Sequence, residues 1–195
     1  MDYRKKLDDA KLANVPVETM ARKVYLSFPT HAFSADHDLE FELLDKIANF
    51  FDVPFSGVQV LGSAKTGFSL VKDTPFDSTT SDLDIALIDQ QLFAKYWEIA
   101  FRRSDAFQVT AFQSLGINEA VAKQRRRRFL QLLQKGIISP DSFPYGPERA
   151  ELEVQFKMLS KGYATYFSRI SAYIYASEKF FAHKQVDAIN HYWYR

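Results

Sequence analysis

Two aspartates separated by one residue, Asp82 and Asp84, lie in the stretch Ser81-Asp82-Leu83-Asp84-Ile85-Ala86-Leu87. Leu83, Ile85 and Leu87 alternate with the two acids, as in a strand, and residues i and i+2 of a strand project from one face. Two short carboxylates placed this way can share a divalent cation. Mg²⁺ or Mn²⁺ wants hard oxygen ligands, and Mg²⁺ favours one or two carboxylates completed by phosphate oxygens and water. Twenty residues before Asp82, the apolar run Gly57-Val58-Gln59-Val60-Leu61 ends in Gly62-Ser63. Gly62 has no Cβ and lets the backbone approach a phosphate. The Ser63 hydroxyl and the amides opening a following helix are donors for phosphate oxygens, and Lys65 is near enough in sequence to neutralise charge. These residue types suit chemistry in which charge builds on phosphoryl oxygens and a cation offsets it. Asp-x-Asp alone is common on solvated edge strands. Strand, Gly-Ser, spacer and Asp-x-Asp between apolar flanks is much rarer in combination.

The segment Val60–Asp89, VLGSAKTGFSLVKDTPFDSTTSDLDIALID, resembles the signature of the DNA polymerase β-like nucleotidyltransferase superfamily. That signature is an apolar strand ending in Gly-Ser, a helix, and a strand bearing Asp-x-Asp. The resemblance covers about a sixth of the chain. It implies a nucleoside triphosphate bound with Mg²⁺ (or Mn²⁺), with Asp82 and Asp84 as the catalytic, metal-holding pair. It implies Gly62, Ser63 and Lys65 as nucleotide-binding residues, and transfer of a nucleotidyl group to a protein, RNA or small-molecule acceptor. Small bacterial members of this kind imply a setting in toxin–antitoxin pairs or anti-phage defence. Two departures stand out. The spacer is long, so Lys72–Thr80 reads as an inserted loop. Active members generally carry a third carboxylate on a neighbouring strand, which helps activate the acceptor hydroxyl. If 151–157 is a strand, Glu151 or Glu153 supplies it. If 147–161 is a helix, the neighbouring strand is 169–175, which has no carboxylate. The chain would then bind nucleotide and metal yet transfer slowly or not at all, as a module for a protein or nucleic-acid partner.

The elements that must position these residues follow from periodicity. Residues 1–22 read as a loose helix or arm. Val24, Leu26 and Phe28 alternate with polar neighbours and predict a strand that Pro29 stops. Asp36 caps a helix whose apolar positions are Leu39, Leu43, Ile47 and Phe50. A strand over 57–61, a short helix and then a loop over 64–81, and a strand over 82–88 follow. A helix runs from Gln90 to Arg103. Phe107–Phe112 reads as a short strand or an irregular segment, Ile117–Gln134 as a helix, and 136–147 as a loop punctuated by Pro and Gly. Residues 147–162 carry helix punctuation, Pro147 at the start and Gly162 at the end. Leu152, Val154 and Phe156 also alternate as a strand would; the helix pattern outweighs it. Arg169–Tyr175 predicts a strand, and Ala182, Val186, Ile189 and Trp193 a final helix. The fold class expected is α/β or α+β: a small mixed β-sheet flanked by helices, as one domain over 1–195. Its core would span about 23–115, with a basic, aromatic C-terminal extension over about 116–195.

Composition narrows the function classes. The chain has 195 residues and no cysteine, which excludes a thiol nucleophile, a disulfide scaffold and a Cys-based zinc site. No apolar run approaches the roughly 18 residues of a membrane span, and a start of Met1-Asp2-Tyr3-Arg4-Lys5-Lys6 fits a cytoplasmic protein. The net charge of +1 conceals −3 over 1–52, −3 over 53–120 and +7 over 121–195. Lys123-Gln124-Arg125-Arg126-Arg127-Arg128 is a contact for RNA or for nucleotide phosphates, or a solvated face that pairs with the acidic front. The C-terminal aromatics read as core packing or a homodimer surface more than as base-stacking platforms. The four His are scattered without metal-ligand spacing, and Gly62-Ser63-Ala64-Lys65-Thr66-Gly67 lacks the lysine that a P-loop places after its second glycine.

Overall fold

A computed structural model describes residues 1–113, 116 and 118–195. In chain order its elements are α1 (Tyr3–Leu12), α2 (Val17–Arg22), α3 (His37–Phe51), β1 (Val58–Val60), α4 (Gly62–Thr66), β2 (Leu83–Ile88), α5 (Gln90–Arg103), α6 (Glu119–Leu133), β3 (Ile137–Ile138), α7 (Pro147–Gly162), β4 (Ile170–Tyr175) and α8 (Glu178–Tyr194). The four strands form one mixed sheet in the order β1-β2-β4-β3. β1 lies antiparallel to β2, β2 parallel to β4, and β3 antiparallel to β4. The α+β class expected from the sequence is the one observed. Side chains cap the helices where the composition suggests: Asp36, Asp89 and Asn118 accept from Leu39, Leu92 and Val121 amides at 2.9, 2.7 and 3.0 Å. No helix among the described residues is long and apolar enough to cross a membrane.

The sheet separates two apolar clusters. Leu83, Ile85 and Leu87 of β2 and Ile170, Ala172 and Ile174 of β4 pack under α3, α5, α6 and α7. Ala86 of β2 and Tyr175 of β4 face the other way, toward α1, α2 and α8. The expected division near residue 115 cuts across this arrangement. β3 and β4 come from the expected extension, and β4 is an interior strand of the sheet. Tyr192 and Trp193, near the aromatic C-terminus, are buried against α1 within the same chain, while Tyr194 stays exposed.

Two local expectations need correction, and the open reading at 107–112 is settled. Lys23–Ser27 is a π-helical turn that continues α2, not a strand. Its buried residues, with those of α2, are Met20, Ala21, Val24 and Tyr25. That i, i+1, i+4, i+5 spacing is helical, and the second cluster rewards it over the weaker alternation. Val109–Phe112 is a 3₁₀ turn and not a strand. The loop at 136–147 contains the two residues of β3. Ile117, expected to open α6, lies outside the described residues. The ambiguity at 147–162 resolves as helix. Leu152, Phe156, Leu159 and Tyr163 are buried at i, i+4, i+7 and i+11, whereas Val154, which a strand would bury beside Leu152, is exposed.

Candidate functional site

β1 and β2 bring the two halves of the motif together. Val60 pairs with Ile85, and the Leu61 amide then donates to the Asp84 carbonyl at 2.8 Å. The chain turns immediately at Gly62, whose φ is +61°. A Cβ added there would lie 3.6 Å from Asp84 Oδ2. A left-handed backbone beside a carboxylate is a position glycine fills without strain. Ser63 follows in the first turn of α4 and is half-buried.

The parallel partner of β2 supplies the remaining contacts. Register places Ser171 of β4 beside Asp84. The Ser171 hydroxyl donates to Asp84 Oδ1 at 2.6 Å, which fixes the carboxylate so that its other oxygen is the one nearest Gly62. Just before β4, the Ser168 hydroxyl donates to Asp82 Oδ1 at 2.7 Å. The Arg169 guanidinium approaches Asp82 Oδ2 at 3.4 Å and Asp141 Oδ2 at 3.6 Å. Asp82 is exposed and Asp84 half-buried. Tyr173, two residues beyond Ser171, has its hydroxyl pKa raised, first by burial and then by the Asp84 charge. Ser168, Arg169, Ser171 and Asp141 are the site residues that motif reading missed. The signal for two of them, Arg169 and Ser171, was the strand pattern over 169–175, once that strand is laid beside Asp84.

Glu151 and Glu153 stand on α7, not on a strand next to the aspartates. Glu151 is exposed, and Glu153 pairs with Arg149 at 2.6 Å. Among the described residues no group of three or more His, Asp or Glu side chains is close enough to hold a metal. Asp82 and Asp84 remain, oriented by hydroxyls. Two carboxylates are the number Mg²⁺ takes from a protein when phosphates and water complete its shell. Two carboxylates are a donor set of the kind that ion accepts, Asp82 and Asp84 are the residues that would hold it, and Arg169 already engages Asp82.

Lys65 is turned elsewhere. Its ammonium donates to the Phe28 carbonyl at 2.7 Å, and the residue is only 4% exposed. Burial lowers its pKa to about 8, against the opposing charge of Glu40. It makes no ion pair with Asp82 or Asp84 among the described residues. The long spacer forms a loop whose Phe68 and Pro75 pair across a bridge. Its Asp73 is clipped by Arg4 at 2.7 Å and Arg195 at 3.1 Å. In the basic run of α6, Arg125 bonds the Tyr145 hydroxyl, Arg126 the Phe107 carbonyl, and Lys123 pairs with Glu119 at 2.9 Å. Arg127 and Arg128 are exposed.

A cavity of about 300 Å³ opens at the edge of β4, and neither aspartate lines it. It lies between α7 and the outer edge of β4, and Arg169 and Ser171 form part of its wall. Its opening follows from Pro140. β3 is only two residues long and covers only Ile174 and Tyr175 of β4. Pro140 then diverts the chain into a 3₁₀ turn, since proline cannot donate to a strand ladder.

Comparison with known proteins gives no match to any family model, any curated protein or any solved structure.

Proposed function

We propose that this chain is a nucleotidyltransferase-like protein that binds a nucleoside triphosphate with Mg²⁺ or Mn²⁺. The observation that carries this reading is the meeting of Gly62 and Asp84 Oδ2 across the β1–β2 pair, with Asp82 immediately before β2. Asp82 and Asp84 would hold the cation. Gly62 would let the triphosphate pass close to the backbone, with Ser63 as a hydroxyl donor. When bound, the cation would offset charge developing on the phosphoryl oxygens. In the reaction an acceptor oxygen forms a bond to the α-phosphorus, the bond from that phosphorus to the bridging oxygen breaks, and pyrophosphate leaves. The acceptor is a protein side chain, an RNA end or a small molecule. A cytoplasmic setting in toxin–antitoxin pairs or anti-phage defence accompanies the resemblance.

A second reading, a module on this fold that binds nucleotide without transferring it, draws on Ser171 and Arg169. Ser171 stands beside Asp84 where a carboxylate base would serve, and an ordinary serine hydroxyl does not take a proton at neutral pH. Arg169 engages Asp82.

Calorimetry with nucleoside triphosphates, with and without Mg²⁺, tests the first reading. Binding is expected for the wild type in Mg²⁺ and lost in Asp82→Ala/Asp84→Ala. Equal, metal-independent binding in both proteins, or none in either, overturns it. Incubation with α-labelled triphosphates separates the readings: label moved to protein or RNA supports transfer, and binding without label supports the module.

A further inference from the structure

The outer edge of β4 is open beside the cavity, and its backbone points there. The Leu83 and Asp89 amides donate to the Arg169 and Tyr175 carbonyls at 2.7 and 3.2 Å, so the odd-numbered residues of this strand bond toward β2. The even-numbered residues turn their N–H and C=O the other way. Two bonds mark that side. The Ala176 amide reaches the Gly136 carbonyl at 2.9 Å, and the Ile170 amide reaches the Ser160 hydroxyl of α7 at 2.9 Å. Ile174 is covered by Ile138. Ala172 lies between Ile170 and Ile174 with no strand opposite it. The register that pairs Ile138 with Ile174 would bring residue 140 there, and residue 140 is the proline at which the chain leaves the sheet. The N–H and C=O of Ala172 and the C=O of Ile170 thus form a ladder edge facing the cavity, a template for another chain.

The surroundings of this edge define its occupant. Ile170 and Ala172 are 1% and 3% exposed, so the edge is recessed between α7 and the turn at Pro140, and the sheet edge of a second folded copy cannot be laid against it. A single extended chain, about 4.8 Å from its neighbour, can. A residue opposite Ala172 projects to the same face of the sheet as Ala172. On that face Leu152 and Phe156 of α7, with Ile170, complete an apolar wall suited to an aliphatic side chain. α7 returns along β4 with Ser160 at Ile170. Lys157, exposed about one turn before Ser160, lines the same opening and makes no ion pair among the described residues. In an antiparallel partner the residue two positions after the aliphatic one stands opposite Ile170, where a carboxylate meets Lys157. We infer that this edge binds an extended peptide by strand addition, antiparallel to β4, with an aliphatic side chain opposite Ala172 and an acidic residue two positions later. The inference is independent of the nucleotide reading, because neither aspartate lines the cavity.

The test is selection of phage-displayed random heptapeptides on the full chain. It is expected to enrich an aliphatic residue followed two positions later by Asp or Glu. The selected peptide is then synthesised with a fluorophore and its affinity measured by anisotropy. N-methylation of the aliphatic residue's amide removes the donor to the Ala172 carbonyl and is expected to weaken binding about tenfold or more. Replacing the acidic residue by Lys is expected to weaken binding severalfold. Lys157→Glu, checked for folding by circular dichroism, is expected to reverse that preference. No enriched peptide, or N-methylation without effect, overturns the inference. A dimer in size-exclusion chromatography that Lys157→Glu dissociates would put a second copy on this edge, which overturns it as well.

Discussion

Lys65 shows how little sequence distance says about reach. It lies three residues from Gly62, yet its ammonium caps the Phe28 carbonyl and its stem is buried. Its pKa of about 8 in the folded chain compares with about 10.5 in the unfolded one. Below pH 8 both states carry the proton, and the folded state bears the full cost of burying the charge. Between about pH 8 and 10.5 the unfolded chain binds more protons, so stability rises with pH. The shift corresponds to at most about 3 kcal/mol. The Phe28 hydrogen bond favours the charged form and offsets part of it. Lys65→Met is therefore expected to be more stable than the wild type at pH 7. It should also lack the wild-type rise between pH 8 and 9.5 in urea titrations. The raised pKa of Tyr3, about 12, acts with the opposite sign but only above pH 10, outside this window. A variant that keeps the wild-type pH slope, or loses stability at pH 7, contradicts the assignment. The same residue-scale logic separates Asp84 from Asp82. Asp84 is fixed by a strand neighbour, Ser171, and Asp82 by the residues before that strand, Ser168 and Arg169.

Among the elements, those with strong punctuation were legible. α3 begins at Asp36, the capping residue that the sequence displays, and β2 carries its alternation openly. The elements misread are those whose partner is remote in sequence. Val24 and Tyr25 become helical because Phe181 and Ile189 of α8 offer one cluster for a helical face. A propensity argument over six residues contains no term for that. At the site, Gly62 and the aspartates were visible because the motif is local. Asp141 was not, because Arg169 links it to Asp82 across the fold. Turns carry similar constraints. Gly136 joins α6 to β3 with φ of +67°, and an added Cβ would lie 2.6 Å from the Phe180 ring. The left-handed backbone alone costs a non-glycine residue roughly 1–2 kcal/mol, and the ring must also move. Gly136→Ala is expected to lower stability by about 2 kcal/mol or more in chemical denaturation. Gly162→Ala, with nothing within 4 Å of its Cβ, is the control. Similar midpoints for the two variants would contradict both the backbone cost and the clash with Phe180.

Across the whole molecule the balanced charge divides into an acidic front and a basic rear, and the fold joins them sparingly. Arg169 meets Asp82 and Arg195 meets Asp73, while Arg127 and Arg128 stay in solvent. The stronger link between the chain's two ends is apolar. Leu7 of α1 is fully buried, Trp193 of α8 is 6% exposed, and the indole donates to the Leu7 carbonyl at 3.0 Å. Tyr3 of the same helix bonds the Pro29 carbonyl, next to the Phe28 carbonyl that receives Lys65. α1 thus braces the segment on which α4, and with it Gly62, rests. Two substitutions compare the two kinds of link. Trp193→Ala removes a buried ring and leaves a cavity, a change worth about 3–5 kcal/mol, or roughly 10 °C in Tm for a chain of this size. Asp73→Ala releases both Arg4 and Arg195, yet solvent screens these pairs and surface ion pairs contribute little. Thermal unfolding is expected to show a large fall for the first and a small one for the second, with the second shrinking further in 0.5 M salt. A fall of similar size for Asp73→Ala would mean that the loop clip, and not the apolar seam, holds the ends of the chain against the sheet.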